Sequence, residues 1–298
     1  MNQSATTKRP IRILSLGAGV QSSTVLLKSC RGELPKLDHA IFADTQWEPR
    51  AVYDHLEWLK AESESAGIPV HIVTAGNLRN TVLESQVNGN KSGENHFASI
   101  PLHTLSIGGQ PGMIRRQCTK GYKIEPIEKF IKAEILKIRP YARWPKDHRV
   151  DHWFGISSDE PLRARCPIKV WEENVYPLMD LRWANGTGAQ DWGVTKPMSR
   201  QDCINWLEAN YPERSVPRSA CIGCPFHSHA EWRAIKDNED EWRDAVEMDR
   251  AVRKMHGMDG AAFLHRSLKP LEDVDLRTDE EQGQMTMWNN ECEGMCGV

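Results

Sequence analysis

The sequence predicts an α/β protein with a doubly wound, mostly parallel sheet over residues 1–198, followed by a helical, cysteine-bearing region over residues 199–298. Three observations carry that expectation. Short apolar runs, ILSL, HAIFAD and HIVTA, alternate with stretches of helical period, the order that right-handed crossovers turn into parallel strands. The first run feeds a small-residue turn, Gly17-Ala18-Gly19, and the second ends on Asp44, so both lie at the carboxyl edge of the sheet, where such sheets bind ligands. From residue 176 the alternation gives way to longer loops, short helices and a Cys-x-x-Cys.

Taken in order, residues 13–16 form the first strand, and Gln21, Ser22 and Ser23 open a helix that ends near Gly32. Glycines let the backbone approach closely and take positive φ, and the free amides of a first helical turn point at whatever sits there. The turn therefore reads as an anion seat suited to phosphate or sulfate, with an ordinary tight turn as the alternative. The helix dipole adds only about 0.3–1 kcal/mol, so other groups must help. Residues 39–44 form the second strand, 50–66 a helix closed by Gly67, and 71–75 the third strand. Residues 88–95, NGNKSGEN, read as a loop or flap; residues 122–138 as an amphipathic helix; residues 153–157, WFGIS, as a buried strand running into DEPLRAR. Ser199 opens a helix with Asp202 in a capping-box position, and charged amphipathic helices follow near 231–236 and 241–255, the second closed by Gly257.

Hydrophobic residues make up 39% and charged residues 27%, the balance of a globular protein. A net charge of −3 gives the whole chain no footprint for nucleic acid, so any such contact needs a local patch. RPYARWPKDHR, residues 139–149, alternates basic and aromatic residues and is that patch or a solvated loop. No run approaches the roughly 18 apolar residues that span a bilayer, and residues 1–12 lack the core of a signal peptide. The expectation is a cytoplasmic protein with no membrane partner, whose eight cysteines act as thiols or ligands rather than disulfides.

Cys221-Ile222-Gly223-Cys224, followed by Pro225, is a spacing that brings two thiolates to one metal centre, either zinc or an iron-sulfur cluster. Cys118, Cys292 and Cys296 are further donors. Cys30, Cys166 and Cys203 read as buried small hydrophobes, and His227 and His229 as exposed residues of the following helix, with a ligand role as the alternative. No Ser-His-Asp arrangement is evident. Arg115, Arg116, Lys123, Arg163 and Arg165 offer donors for phosphate or sulfonate oxygens.

These motifs, in this order, resemble the phosphoadenosine phosphosulfate reductase-like branch of the adenine nucleotide α-hydrolase (PP-loop) superfamily. LGAGVQSS resembles its modified P-loop, FADTQWEP its acidic segment, RRQCTKGYKIEPI its arginine-cysteine-lysine segment, and FGISSDEPLRAR its Gly, Glu and Arg loop. YPLMDLRW, CIGCPF and ECEGMC are similar to its later motifs. The chain departs from the pattern at Val20 and Gln21, where the family has Lys and Asp, at Thr119 after Cys118, and at Ser157 in place of an arginine.

The resemblance implies a Rossmann-like PP-loop domain that binds ATP with Mg²⁺ through Ser15, Gly17, Ala18, Gly19, Gln21, Ser22, Ser23, Asp44, Glu48, Arg116, Lys123 and Gly155. Capping of the next helix is the alternative for Asp44. The resemblance also implies a 4Fe-4S cluster on Cys118, Cys221 and Cys224, with Cys292 as fourth ligand or catalytic thiol beside Asp44 and Arg163, and zinc as the alternative metal. The implied activity is adenylation of an acceptor followed by sulfur transfer, as in DNA phosphorothioation or tRNA thiolation, with a sulfur donor such as a cysteine desulfurase. The alternatives are a sulfonucleotide reductase, against which Val20, Thr119 and Ser157 count, and a non-catalytic nucleotide-binding component with structural zinc.

Overall fold

The structure, a computed structural model, describes residues 9–88, 100–255, 258–277 and 281. Ten strands are β1 (Ile11–Leu16), β2 (His39–Asp44), β3 (Val70–Thr74), β4 (Leu102–Leu105), β5 (Pro111–Ile114), β6 (Val150–Phe154), β7 (Glu172–Tyr176), β8 (Leu181–Ala184), β9 (Ala189–Asp191) and β10 (Ala261–Phe263). The central sheet has the order β3-β2-β1-β6-β7-β8-β9, and β10-β4-β5 form a smaller sheet. The strands from β3 to β7 run parallel, while β8 and β9 are antiparallel additions at one edge. The chain therefore reverses its winding between β1 and β6, the point at which sheets of this kind open a ligand crevice.

The central strands are apolar on both faces because helices cover both. Helix α1 (Val20–Cys30) packs Val25, Leu26 and Leu27 onto Leu14 and Leu16, with α2 (Arg50–Ser65) beside it. On the opposite face Ile13, Ile41 and Val150 meet Ile127 and Ile131 of a helical segment that changes its residue spacing twice. It runs as a π-turn Thr119–Ile124, an α-helix α4 (Glu125–Phe130) and a second π-turn Ile131–Ile135, starting directly after Cys118 rather than at residue 122. Gly32 and Gly67, at φ +73° and +69°, end α1 and α2 where the sequence places their stops.

Three further α-helices follow: α5 (Arg200–Asn210), α6 (His229–Lys236) and α7 (Glu239–Val252). Ser199, Ser228 and Asn238 cap them, each accepting a backbone amide three residues on. Cys203 and Leu207 of α5 join the α1 core, and Trp232, Ile235, Ala245 and Met248 form another core with Trp47 and Leu78.

Several expectations need correction. The strand read at 153–157 is β6, three residues earlier, because Asp151 and His152 are buried polar residues whose partners, Arg182 and Ser15, lie on other strands. The stretch from 176 is not all loop: it carries the short, polar strands β8 and β9, and the left-handed Asp180, at φ +52°, turns β7 into β8. Helix α3 (Leu78–Asn88) and the β4–β5 hairpin carry no strong period and were not anticipated. Most of the expected flap at 88–95 and Gly257 lie outside the described residues. No helix among the described residues is long and apolar enough to cross a membrane.

Candidate functional site

At the switch point, Gly17-Ala18-Gly19 carries β1 into α1. Ala18 is buried in a left-handed conformation, φ +55°. The Ser22 hydroxyl accepts the amides of Gly17 (3.2 Å) and Gly19 (3.4 Å), which holds the turn in shape. Val20, Gln21 and Ser22 occupy the first helical positions, whose amides have no intrahelical acceptor. Gly155, just past β6, presses on this first turn, and Ser219 lies over Gly17 and Gly19 at 3.3 and 3.2 Å from the positions a β-carbon would take.

The resulting cleft is open to solvent and holds about 630 Å³ of space when its mouth is included. Ser15, Gly17, Gly19, Gln21, Ser22, Gly155 and Arg163 of the expected set line it. Arg200 and Arg218 also line it, giving three guanidinium groups around a helix N-terminus. Gln21 ties two of these together. Its amide nitrogen donates to Glu160 (2.9 Å), its amide oxygen accepts from Arg200 (3.2 Å), and Arg163 pairs with Glu160 (2.7 Å). An aspartate at Gln21 would bring a second carboxylate up to Glu160, so the amide fits this network where an acid would not. Arg218 pairs with Glu231, whose carboxyl burial tends to raise; the His227 ring, Arg218 and the Ser228 amide nevertheless hold it at about 2.

A second pocket lies beside the first. Cys118, Cys221 and Cys224 line it together with Arg116, Lys123 and Thr45. Cys221 Sγ is 3.2 Å from Thr45 Oγ1 and 3.4 Å from Glu48 Oε1, and Lys123 Nζ is 3.7 Å from that same oxygen. Burial and the Glu48 charge push the Cys221 thiol well above its usual range, so a metal must displace its proton to bind there. The Ile222 amide donates to the Trp47 carbonyl (2.9 Å), and Gly223 lies against the Trp47 ring with no room for a side chain. Arg116 Nη1 and Glu48 Oε2 are buried without hydrogen-bond partners among the described residues. Three thiols beside a lysine and an arginine with one buried, unpartnered nitrogen suit an anionic, thiolate-held cluster, so the donor types fit the implied group.

The two pockets share one segment. Ser219 covers the glycine turn and Cys221 stands in the cysteine pocket, so at most about 7 Å of chain separates them.

The other expected residues fall elsewhere. Arg116, Lys123 and Glu48 belong to the cysteine pocket. Ser23 is buried against His55 (2.9 Å). Asp44 accepts the Gln46 amide (2.7 Å) and the Tyr53 hydroxyl (2.8 Å), and the helix that follows is capped at Pro49 instead. Arg115 and Arg165 are exposed. Cys292 and Cys296 lie outside the described residues. Cys166 is exposed rather than buried, because the 161–170 loop runs over the surface; Cys203 is buried, its thiol raised to about 12, and Cys30 is half-buried, raised to about 11, chiefly by burial. His227 is buried, not exposed, since it precedes α6 and bonds the Cys221 carbonyl (2.9 Å). In the basic-aromatic segment Tyr141 is fully exposed, whereas Trp144 stacks on Trp171 at 4.5 Å.

Sequence reasoning missed Arg200, Arg218, Ser219 and Thr45, and singled out Glu160 only as the Glu of the FGISSDEPLRAR loop. Of the four, Arg200 carried a signal, as the first residue after the Ser199 cap. No protein-family model matches the chain, and no curated protein matches it.

Proposed function

We propose that the chain is an ATP-binding, iron-sulfur-dependent enzyme that adenylates an acceptor and transfers sulfur to it. The observation that supports this reading best is the adjacency of the two pockets: an arginine-rich anion seat and a three-cysteine pocket joined through Ser219 and Cys221. MgATP is the substrate of the first. Its phosphates suit the α1 N-terminus and Arg163, Arg200 and Arg218, which neutralise charge on the departing pyrophosphate. Adenylation turns a poor leaving oxygen into a good one. A 4Fe-4S cluster held by Cys118, Cys221 and Cys224 would supply an iron site for the incoming sulfur. Arg116 and Lys123 offset the negative charge of the thiolates, and Trp47 keeps the Cys-x-x-Cys loop in place. Cys292 is the tail thiol of this reading, as ligand or nucleophile.

The acceptor class is a nucleic acid, DNA or tRNA, with a cysteine desulfurase as sulfur source; this part rests on the family resemblance. The Gln21 bridge between Arg200 and Glu160 favours one second reading, a component that binds nucleotide without turnover. Pyrophosphate release from ATP, measured with and without tRNA or DNA, separates them. Release that disappears in Arg163→Ala supports the enzyme; tight ATP binding with no release under either condition supports the second reading.

A further inference from the structure

We propose that Ser15, His152 and Glu172 form a nucleophilic relay at the floor of the cleft, with Ser15 attacking the phosphorus of a phosphoric ester or anhydride. The three residues stand on neighbouring strands β1, β6 and β7. The register pairs Ser15 with Phe154 and Val150 with Glu172, so His152 is the diagonal, same-face neighbour of both. Ser15 Oγ lies 2.7 Å from His152 Nε2, and His152 Nδ1 lies 3.5 Å from Glu172 Oε2.

Glu172 Oε2 is buried without a hydrogen-bond partner among the described residues, and His152 Nδ1, at 3.5 Å, is the ring nitrogen nearest to it. In the relay Nδ1 carries its proton toward that carboxylate, and Nε2 accepts the Ser15 hydroxyl proton. His152 and Glu172 are buried, with side chains 8% and 9% exposed, while Ser15 lines the cleft. A serine-histidine pair inside a sheet is ordinary packing. A buried glutamate behind it with one oxygen left unpartnered is not, because such a carboxylate is costly to keep unless it serves the ring beside it. The open end of the relay also faces Arg163 and Arg200, which can hold phosphoryl oxygens.

In the step itself, Oγ bonds to phosphorus as the bond from phosphorus to its leaving group breaks. The hydroxyl proton moves to His152 Nε2, and the imidazolium forms beside Glu172. The leaving group departs with its electron pair and takes that proton. Water then attacks the phosphorus, giving a proton to Nε2, which returns it to Oγ as the serine is released. Neither the cysteines nor a cluster takes part, so the inference stands or falls separately from sulfur transfer.

The test treats the full chain with an alkyl fluorophosphonate, in which fluoride is the leaving group, and maps the adduct by peptide mass spectrometry. The expected result is one adduct on Ser15 in the unmodified chain, a measurement that needs no variant. His152→Asn should slow labelling by about 100-fold or more, with folding checked by circular dichroism and His152→Gln as second variant. Glu172→Gln should slow it by at least tenfold, and Glu172→Asp should recover part of the rate, which a packing role would not predict. No adduct on Ser15, an adduct on Ser22 or Ser219 instead, or labelling of Ser15 at an unchanged rate in both folded His152 variants would overturn the proposal.

Discussion

A β-carbon on Gly155 would stand 2.7 Å from both the Cα and the amide nitrogen of Ser22, so the end of β6 and the first turn of α1 meet across a position that only glycine can fill. Contact of that kind cannot be relieved by a rotamer, since the obstacle is backbone. Gly155→Ala should push α1 away from the switch point, destabilise the fold by about 1–3 kcal/mol and weaken ATP binding at the seat. Urea unfolding and calorimetric titration read the two effects.

The arginines should divide by location. Arg163→Ala and Arg200→Ala each remove a charged donor from the cleft, and each should weaken ATP binding by about 10- to 100-fold, since a hydrogen bond to a charged group contributes about 1.5–3 kcal/mol. Arg139→Ala, in the exposed basic segment, should leave ATP affinity unchanged. Calorimetric titration of the three variants checks this.

Gly223 is another position closed to a side chain, because a β-carbon would enter the Trp47 ring. Trp47 is held by Asp244 through its indole nitrogen (2.5 Å) and by Ile222 through its carbonyl. Gly223→Ala should therefore cost about 1–3 kcal/mol of stability and lower the metal content of purified protein, whereas Gly121→Ala, with open space around it, should change neither.

Two buried histidines make the fold acid-sensitive. Burial, with the Arg214 charge, lowers His55 to about 4; burial, with His229, Arg266 and His103, lowers His265 to about 4. Both rings fold neutral, so their contribution is complete above their ordinary value near 6.5 and is lost as pH falls through about 4. Each is worth on the order of 3 kcal/mol at most. The urea midpoint should drop between pH 7.5 and pH 4.5, and His55→Gln should reduce that drop; a midpoint independent of pH in this range contradicts the account.

What the sequence revealed follows from local physics. Apolar runs flanked by glycine stops made β1, α1, β2 and α2 readable to within two residues, and Ser199 with Asp202 announced α5. His152 and Asp151 hid the start of β6, because a buried polar residue paired across strands looks like surface in a linear pattern. The site was legible where its residues are contiguous, as in the glycine turn and the Cys-x-x-Cys. It was illegible where the fold assembles distant residues: Arg200 and Gln21 are 179 positions apart, and Thr45 and Cys221 are 176 apart. The family resemblance assigned Arg116, Lys123 and Glu48 to the nucleotide; the turn after β2 and the helical segment after Cys118 bring them beside the cysteines.

The central claim is a cluster held by Cys118, Cys221 and Cys224, and iron and acid-labile sulfide analysis of protein purified without oxygen tests it most directly. The account predicts roughly four irons and four sulfides per chain, with both lost in Cys221→Ser. One zinc and no sulfide would contradict it.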